Sequence, residues 1–225
     1  MLVSVLIYAA LVLPTALLPY PLRYRIIRQW ARFQVFLLKI LCGLDYRVEG
    51  QEHLPQGAAI ILSKHQSAWE TIAFQQIFPA QTWVLKRELM WIPLFGWALA
   101  LTRPIAIDRG AGRKAVEAVV TQGRERLQSG IWVVVFPEGT RVAPGTRKRY
   151  AMGGAILAAE TGYPVVPVAH NAGSFWLRRG FMKKPGTVRV CIGPVIDPRG
   201  KKAEEIIKQT EEWIENRMVD LERGV

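Results

Sequence analysis

The sequence predicts an α/β protein: a mixed, mostly parallel sheet flanked by helices and preceded by a membrane-embedded two-helix segment. Three observations carry this expectation. Beyond Gly43, short runs rich in Val and Ile alternate with stretches of helical periodicity, as in a sheet with helices laid against it. Before Gly43, the chain is first apolar and uncharged and then amphipathic and basic. A length of 225 residues suits one α/β domain with an appendage, which divides the chain at 1–43 and 44–225.

Residues 1–18 are apolar apart from Ser4, Tyr8, Pro14 and Thr15. They lack the basic start and small-residue cleavage site of a secretory signal, so the segment is expected to be retained. As a helix it would be about 27 Å long, slightly short of a hydrocarbon core of roughly 30 Å, and Pro14 interrupts it. Crossing a bilayer is therefore allowed but not required. Pro19 and Pro21 mark a turn, after which Arg23, Arg25, Arg28, Arg32 and Lys39 alternate with Ile26, Ile27, Trp30, Phe33, Phe36, Leu37, Ile40 and Leu41. Such a helix suits a lipid interface, with apolar side chains among acyl chains and cations on anionic head groups. The alternative is a helix packed on the domain with a solvated basic face.

Strands are expected at 45–49, 58–63, 82–85, 104–107, 131–136, 165–169 and 187–192, and helices at 67–77, 113–128, 152–160 and 203–222. The last helix spaces Ile207, Ile214, Met218 and Leu221 at helical intervals, which makes it a cover for one edge of the core and nothing more.

Half of the residues are hydrophobic and the formal charge is +12, so an anionic partner is implied: acidic lipid, an acidic carrier protein or nucleic acid. Cys42 and Cys191 form neither a disulfide framework nor a zinc-ligand pattern. No metal is expected, and a reducing, cytoplasmic setting is the default.

Residues 64–70 read Lys-His-Gln-Ser-Ala-Trp-Glu and follow an apolar run, which puts His65 where strand gives way to helix. Histidine is suited to take a proton from an alcohol near neutral pH, and a carboxylate on its other ring nitrogen fixes the tautomer and stabilises the imidazolium. Positions five apart on one helix point about 140° away from each other, so His65 must precede the helix and Glu70 must reach back from its first turn. A second reading stands beside this one. Ser67 followed by Glu70 has the spacing of a capping box, in which Glu70 only satisfies a backbone N–H.

Residues 133–141 are an apolar strand running into Pro137, Glu138, Gly139, Thr140 and Arg141. Strand ends are where α/β folds bind ligands. Arg141 has the fork to grip a phosphate, Gly139 permits close approach of backbone to ligand, and Glu138 offers an acceptor to a polyol hydroxyl. A tight turn with a surface ion pair accounts for the same residues without a ligand.

Together these segments resemble the glycerolipid acyltransferase superfamily, most closely its bacterial 1-acylglycerol-3-phosphate acyltransferases. The resemblance covers about residues 44–197 and rests on KHQSAWE at 64–70, RPIAIDRG at 103–110, FPEGTR at 136–141 and YPVVPVAHNAG at 163–173, in the family's order and spacing. It implies that His65 is the general base and Glu70 its acidic partner. It also implies that Asp108 and Arg109 help to bind the acceptor, and that Glu138, Gly139, Thr140 and Arg141 face the glycerol phosphate. Lys86 is a further candidate for the phosphate, while Pro167 falls in a strand that walls the site. The expected reaction moves a fatty acyl group from acyl-CoA or acyl carrier protein to the sn-2 hydroxyl of lysophosphatidic acid, giving phosphatidic acid, with no cofactor. The chain departs from the family at one place: Glu70 stands where aspartate is usual, one methylene longer.

Direct attack is expected rather than an acyl-enzyme, because Ser67 reads as a cap. The expected setting is the inner membrane with the catalytic domain on the cytoplasmic side. Basic stretches at 147–149 and 178–184, the latter interleaved with Phe175, Trp176, Leu177, Phe181 and Met182, suit lipid head groups or the acidic donor. Acylation of another lysolipid, such as lyso-ornithine lipid, and a non-enzymatic basic binding module are the competing readings.

Overall fold

The computed structural model describes residues 2–223. At its centre is a seven-stranded sheet of β1 (Leu44–Glu49), β2 (Ile60–Ser63), β3 (Gln81–Lys86), β4 (Ile105–Ile107), β5 (Trp132–Val135), β6 (Val165–His170) and β7 (Gly186–Ile192). The strands lie in the order β1-β7-β6-β2-β5-β3-β4. Every neighbouring pair is parallel except β6 and β7. The mixed, mostly parallel sheet expected from the sequence is the sheet found.

Both faces of the central strands are buried, which explains why β2 and β5 read as unbroken apolar runs. Ile60 and Leu62 of β2 and Val133 and Val135 of β5 face one core, closed by α5 (Arg113–Gln128), α6 (Gly153–Thr161) and α8 (Ala203–Arg223). Their alternate neighbours Ile61 and Val134 face a second core under α2 (Tyr20–Cys42) and α3 (Trp69–Ile77). Each fully buried side chain of this kind contributes about 1.5–3 kcal/mol relative to exposure. Every expected strand and helix beyond Gly43 is present, with shifted ends. The helix expected from 67 begins at Trp69, because the N–H groups of Gln66 and Ser67 are taken by Glu70.

The N-terminal elements are α1 (Leu2–Val12), a 3-10 turn at Leu13–Leu17, and α2. Among the described residues no helix is long and apolar enough to cross a membrane. Pro14 falls in the 3-10 turn that ends α1 after 11 residues, and arginines interrupt the apolar character of α2. The two helices form an antiparallel pair. Gln34 Nε2 donates to Ser4 Oγ at 3.0 Å, and Tyr8 donates to the Ile26 carbonyl.

Helix α2 carries two stripes. Tyr24, Ile27, Ala31, Gln34 and Leu38 recur at intervals of three and four and are buried. Arg28 Nη2 donates to the Gln76 carbonyl at 2.9 Å and Gln76 Nε2 to the Arg28 carbonyl at 2.8 Å, pinning α2 onto α3. Phe33, Phe36 and Ile40 form the opposite stripe and stay exposed beside Arg25 and Arg32.

One segment was not anticipated. After β3 the chain makes a 3-10 turn at Arg87–Trp91 and a short helix, α4 (Phe95–Ala100), which packs on α1. Gly96 allows the close fold of this segment, since a Cβ there would lie 2.2 Å from the Met90 carbonyl oxygen. Another short helix, α7 (Ala172–Phe175), follows β6.

Candidate active site

Four parallel neighbours, β2, β5, β3 and β4, end on the same edge of the sheet, and their C-terminal extensions carry the motifs. His65 follows β2, residues 136–141 follow β5, Lys86 ends β3, and Asp108 and Arg109 follow β4. Strand order thus gathers residues spread over some eighty positions of sequence.

His65 Nδ1 lies 2.8 Å from Glu70 Oε1. The same oxygen accepts from Gln66 N at 2.9 Å and Ser67 N at 2.8 Å. The two readings of Glu70 are therefore both realised by one atom: it orients the imidazole and satisfies the backbone ahead of α3. The capping box itself is incomplete, because Ser67 Oγ accepts from Trp69 N at 3.2 Å. Glu70 is 0 % exposed. Burial works to raise its pKa, but the neighbouring His170, the His65 hydrogen bond and the Ser67 N–H outweigh it, so the carboxyl lies below its ordinary value and stays ionised. Glu70 Oε2 is buried with no hydrogen-bond partner among the described residues, which leaves Oε1 to hold the ring. Phe136 stacks on the imidazole at 4.0 Å between ring centroids and 14° between planes. With Nδ1 engaged, Nε2 is the ring nitrogen without a protein partner among the described residues, and it is available to take a proton.

His65 opens onto a mostly apolar cavity of about 380 Å³. Val5, Tyr8 and Val12 of α1, Trp30 of α2, Trp83 and Leu85 of β3, and Phe95 and Leu99 of α4 contribute to its walls. Lys86, Arg109 and Arg141 also line it, so three cations share one apolar recess with the imidazole. Arg109 donates to the Gly139 carbonyl, which ties the β4 and β5 extensions together. Gly139 sits at φ +67°, where a side chain would be strained, so this turn requires glycine. Lys86 is paired with Glu88 at 2.8 Å and is solvent-exposed at the rim.

Other candidates do not reach the cavity. Asp108 accepts from Gly110 N at 2.9 Å within its own loop and pairs at 3.4 Å with Arg87, which follows β3. Thr140 lies in the turn outside the cavity lining. Glu138, expected to meet a polyol hydroxyl, turns inward instead. Its Oε1 pairs with Lys64 Nζ at 2.7 Å and its Oε2 accepts from His65 N at 2.7 Å. The cause is the buried ammonium of Lys64, which needs a counter-charge within the protein. Ser67 is fully buried with its hydroxyl engaged, which removes it as a nucleophile.

Sequence reasoning gave no role to Lys64, to the α4 residues or to Glu215 of α8. Glu215 accepts from Lys64 Nζ at 2.9 Å and from the Tyr150 hydroxyl at 2.9 Å. A charged residue spaced for the inner face of an otherwise apolar stripe was the available signal: Glu215 directly follows the buried Ile214.

The acyltransferase family profile matches residues 45–171 of this chain. The 1-acyl-sn-glycerol-3-phosphate acyltransferase of Pseudomonas aeruginosa is 43% identical over 209 residues, which cover 91% of this chain and 81% of that protein. The bovine 1-acyl-sn-glycerol-3-phosphate acyltransferase alpha is 27% identical, with 78% of this chain and 62% of the bovine protein covered. In structure, the 1-acyl-sn-glycerophosphate (LPA) acyltransferase of Thermotoga maritima superposes with a TM-score of 0.80 over 97% of this chain and 90% of that one, at 24% identity, and shares the fold.

Proposed function

The chain belongs to the acyltransferase family, and from that premise we propose that it transfers a fatty acyl group from acyl-CoA or acyl carrier protein to the sn-2 hydroxyl of lysophosphatidic acid. The product is phosphatidic acid. The observation that carries this reading is the placement of the His65–Glu70 pair at an apolar cavity that also contains Arg109 and Arg141. An acyl chain needs the apolar walls, a phosphate needs the cations, and a hydroxyl needs the base.

In the reaction, the acceptor hydroxyl gives its proton to His65 Nε2 and its oxygen attacks the thioester carbonyl. The carbon–sulfur bond breaks, and the leaving thiolate takes up the proton held on His65. Glu70 Oε1 stabilises the imidazolium between these two transfers. Arg141 and Arg109 hold the acceptor phosphate, and the cavity holds the acyl chain.

The protein works at a lipid surface, on the cytoplasmic side of the inner membrane. The exposed stripe of Phe33, Phe36 and Ile40 on α2 supports the contact with lipid, as do Trp91, Trp97 and Phe181 elsewhere on the surface. Arg32 and Lys39 flank the α2 stripe, the Arg87 guanidinium lies over the Trp91 ring, and Phe181 stands between Arg178–Arg179 and Lys183–Lys184 in sequence, so apolar insertion and attraction to anionic head groups reinforce each other.

One assay separates the halves of the site. Arg141→Ala raises KM for lysophosphatidic acid about 10- to 100-fold, as loss of a charge-assisted bond of ~1.5–3 kcal/mol implies, and acts less on an acceptor without phosphate. Ala98→Trp, which fills part of the cavity, impairs long acyl donors before short ones. Equal use of phosphorylated and unphosphorylated acceptors by the unaltered enzyme contradicts the phosphate grip.

A further inference from the structure

Beneath the catalytic histidine lies a closed set of buried charges that the reaction as written does not use. Lys64 is 1 % exposed, Glu138 2 % and Glu215 6 %, and Tyr150 is buried with them. Lys64 Nζ sits 2.7 Å from Glu138 Oε1 and 2.9 Å from Glu215 Oε1, and it donates to the Thr146 carbonyl at 3.3 Å. Arg147 meets Glu215 Oε2 at 3.2 Å from the solvent side. Two basic side chains, Lys64 inside and Arg147 at the surface, thus face two carboxyl groups. Burying such groups costs several kcal/mol per ion before pairing is counted, and a purely apolar filling would avoid that cost.

The cluster ends on His65. Glu138 Oε2 accepts from the His65 backbone N–H at 2.7 Å, and Val142 N donates to the His65 carbonyl at 2.8 Å. Both backbone polar groups of the histidine are therefore held by residues 138–142. A second set of bonds joins the same loops to the end of α8. Glu222 accepts from Gln66 Nε2 at 3.0 Å through one oxygen and from Gly145 N at 2.9 Å through the other.

We infer that Glu138 is a positioning residue, anchored by Lys64 and Glu215, which fixes the backbone of His65 so that its ring meets Glu70, and that Glu138 does not bind the acceptor. The His65 backbone is clamped at both ends, so the ring can pivot only about its own side-chain bonds. Those are set by Glu70 on one side and Phe136 on the other. A small tilt of the backbone would displace Nε2 from the hydroxyl it serves, and misplacement by about 1 Å can cost on the order of 100-fold in rate. The C-terminal helix thereby becomes part of the support of the catalytic loop, through a contact spanning 151 positions from Lys64 to Glu215.

The inference rests on the proposed acyl transfer, and the test keeps the two apart. Glu138→Gln preserves size but places an amide against Lys64. Its expected effect is a kcat about 10- to 100-fold lower, with KM for lysophosphatidic acid within about twofold of the unaltered enzyme. Combined with Glu70→Gln, in which the charge that stabilises the His65 ring is already lost, the same change costs much less than it does alone. A raised KM with kcat preserved, or a full additive loss in the double variant, overturns the positioning role. Hydrogen exchange at the His65 amide supplies a readout independent of turnover: it is expected to be faster in Glu138→Gln, and unchanged exchange overturns the inference. If the unaltered enzyme makes no phosphatidic acid, the functional reading falls while the exchange rate still decides the geometry. Tyr150→Phe removes only the hydroxyl from Glu215, and in a variant that folds normally it is expected to shift exchange in the same direction to a smaller extent.

Discussion

Glu70 Oε1 accepts at once from His65 Nδ1, Gln66 N and Ser67 N, all within 2.9 Å, so the His65 imidazole and the start of α3 share one oxygen. The glutamate, one methylene longer than the aspartate usual in the family, reaches the ring without leaving the backbone. Glu70→Gln keeps the shape and removes the charge, and kcat is expected to fall by roughly 100- to 10,000-fold, the range for loss of a positioned acid–base partner. Glu70→Asp retains the charge but shortens the reach, so it loses less. Steady-state kinetics with matched thermal stability checks both. A glutamine variant of normal kcat would show that Glu70 only caps the helix.

The exposed stripe on α2 sets a second expectation. Phe33→Asp with Phe36→Asp places carboxylates where a bilayer offers acyl chains, without touching the buried stripe that packs α2 on the core. Sedimentation with anionic vesicles is expected to show binding weakened by at least 10-fold, since two aromatic side chains are worth several kcal/mol when buried. Undiminished binding would move the lipid contact elsewhere.

His170 gives a pH dependence. Burial holds this histidine below its ordinary value, only partly opposed by Glu70. The folded state therefore binds fewer protons than the unfolded state, and stability rises with pH across the window that ends near 6.5. Acidification through that window destabilises the fold. Glu70, also held below its ordinary value, adds a loss of the same sign at lower pH. Glu138 opposes both, because burial pushes its carboxyl up to about 7 despite the pull of Lys64, so a falling pH favours its folded form. His170→Gln isolates the histidine: its amide can replace the Nε2 donor to the Lys64 carbonyl, 2.9 Å away. The decline of Tm on acidification is expected to be shallower in this variant, and an identical slope would contradict the assignment.

The sheet was legible because two-sided burial demands unbroken apolar runs, as in Trp132–Val135, and because loops rich in Gly and Pro separate them. The spacing of His65 and Glu70 allowed their pairing, with the histidine ahead of the helix, but left the capping reading open beside it, and the resemblance carried in the other motifs was what favoured the pair that the fold forms. The segment 87–100 was not, because two short turns around Pro93 and Gly96 leave no period to detect and their fold depends on contact with α1. The inward turn of Glu138 was hidden for a related reason. In sequence, nothing marks Lys64 as buried, and Glu138 reads as an acceptor for a polyol hydroxyl. Only the tertiary fold brings Glu215 to Lys64 and turns all three inward. That the N-terminal helices wall the cavity was likewise hidden, since an apolar helix carries no mark of which surface it meets.

His65, held by Glu70, is proposed to deprotonate a lysophospholipid hydroxyl. Transfer from labelled acyl-CoA to lysophosphatidic acid in detergent, measured for the unaltered protein and for His65→Ala at matched folding, tests it most directly. Labelled phosphatidic acid is expected from the former, with a loss of at least about 100-fold in the latter. Comparable product from both would contradict it.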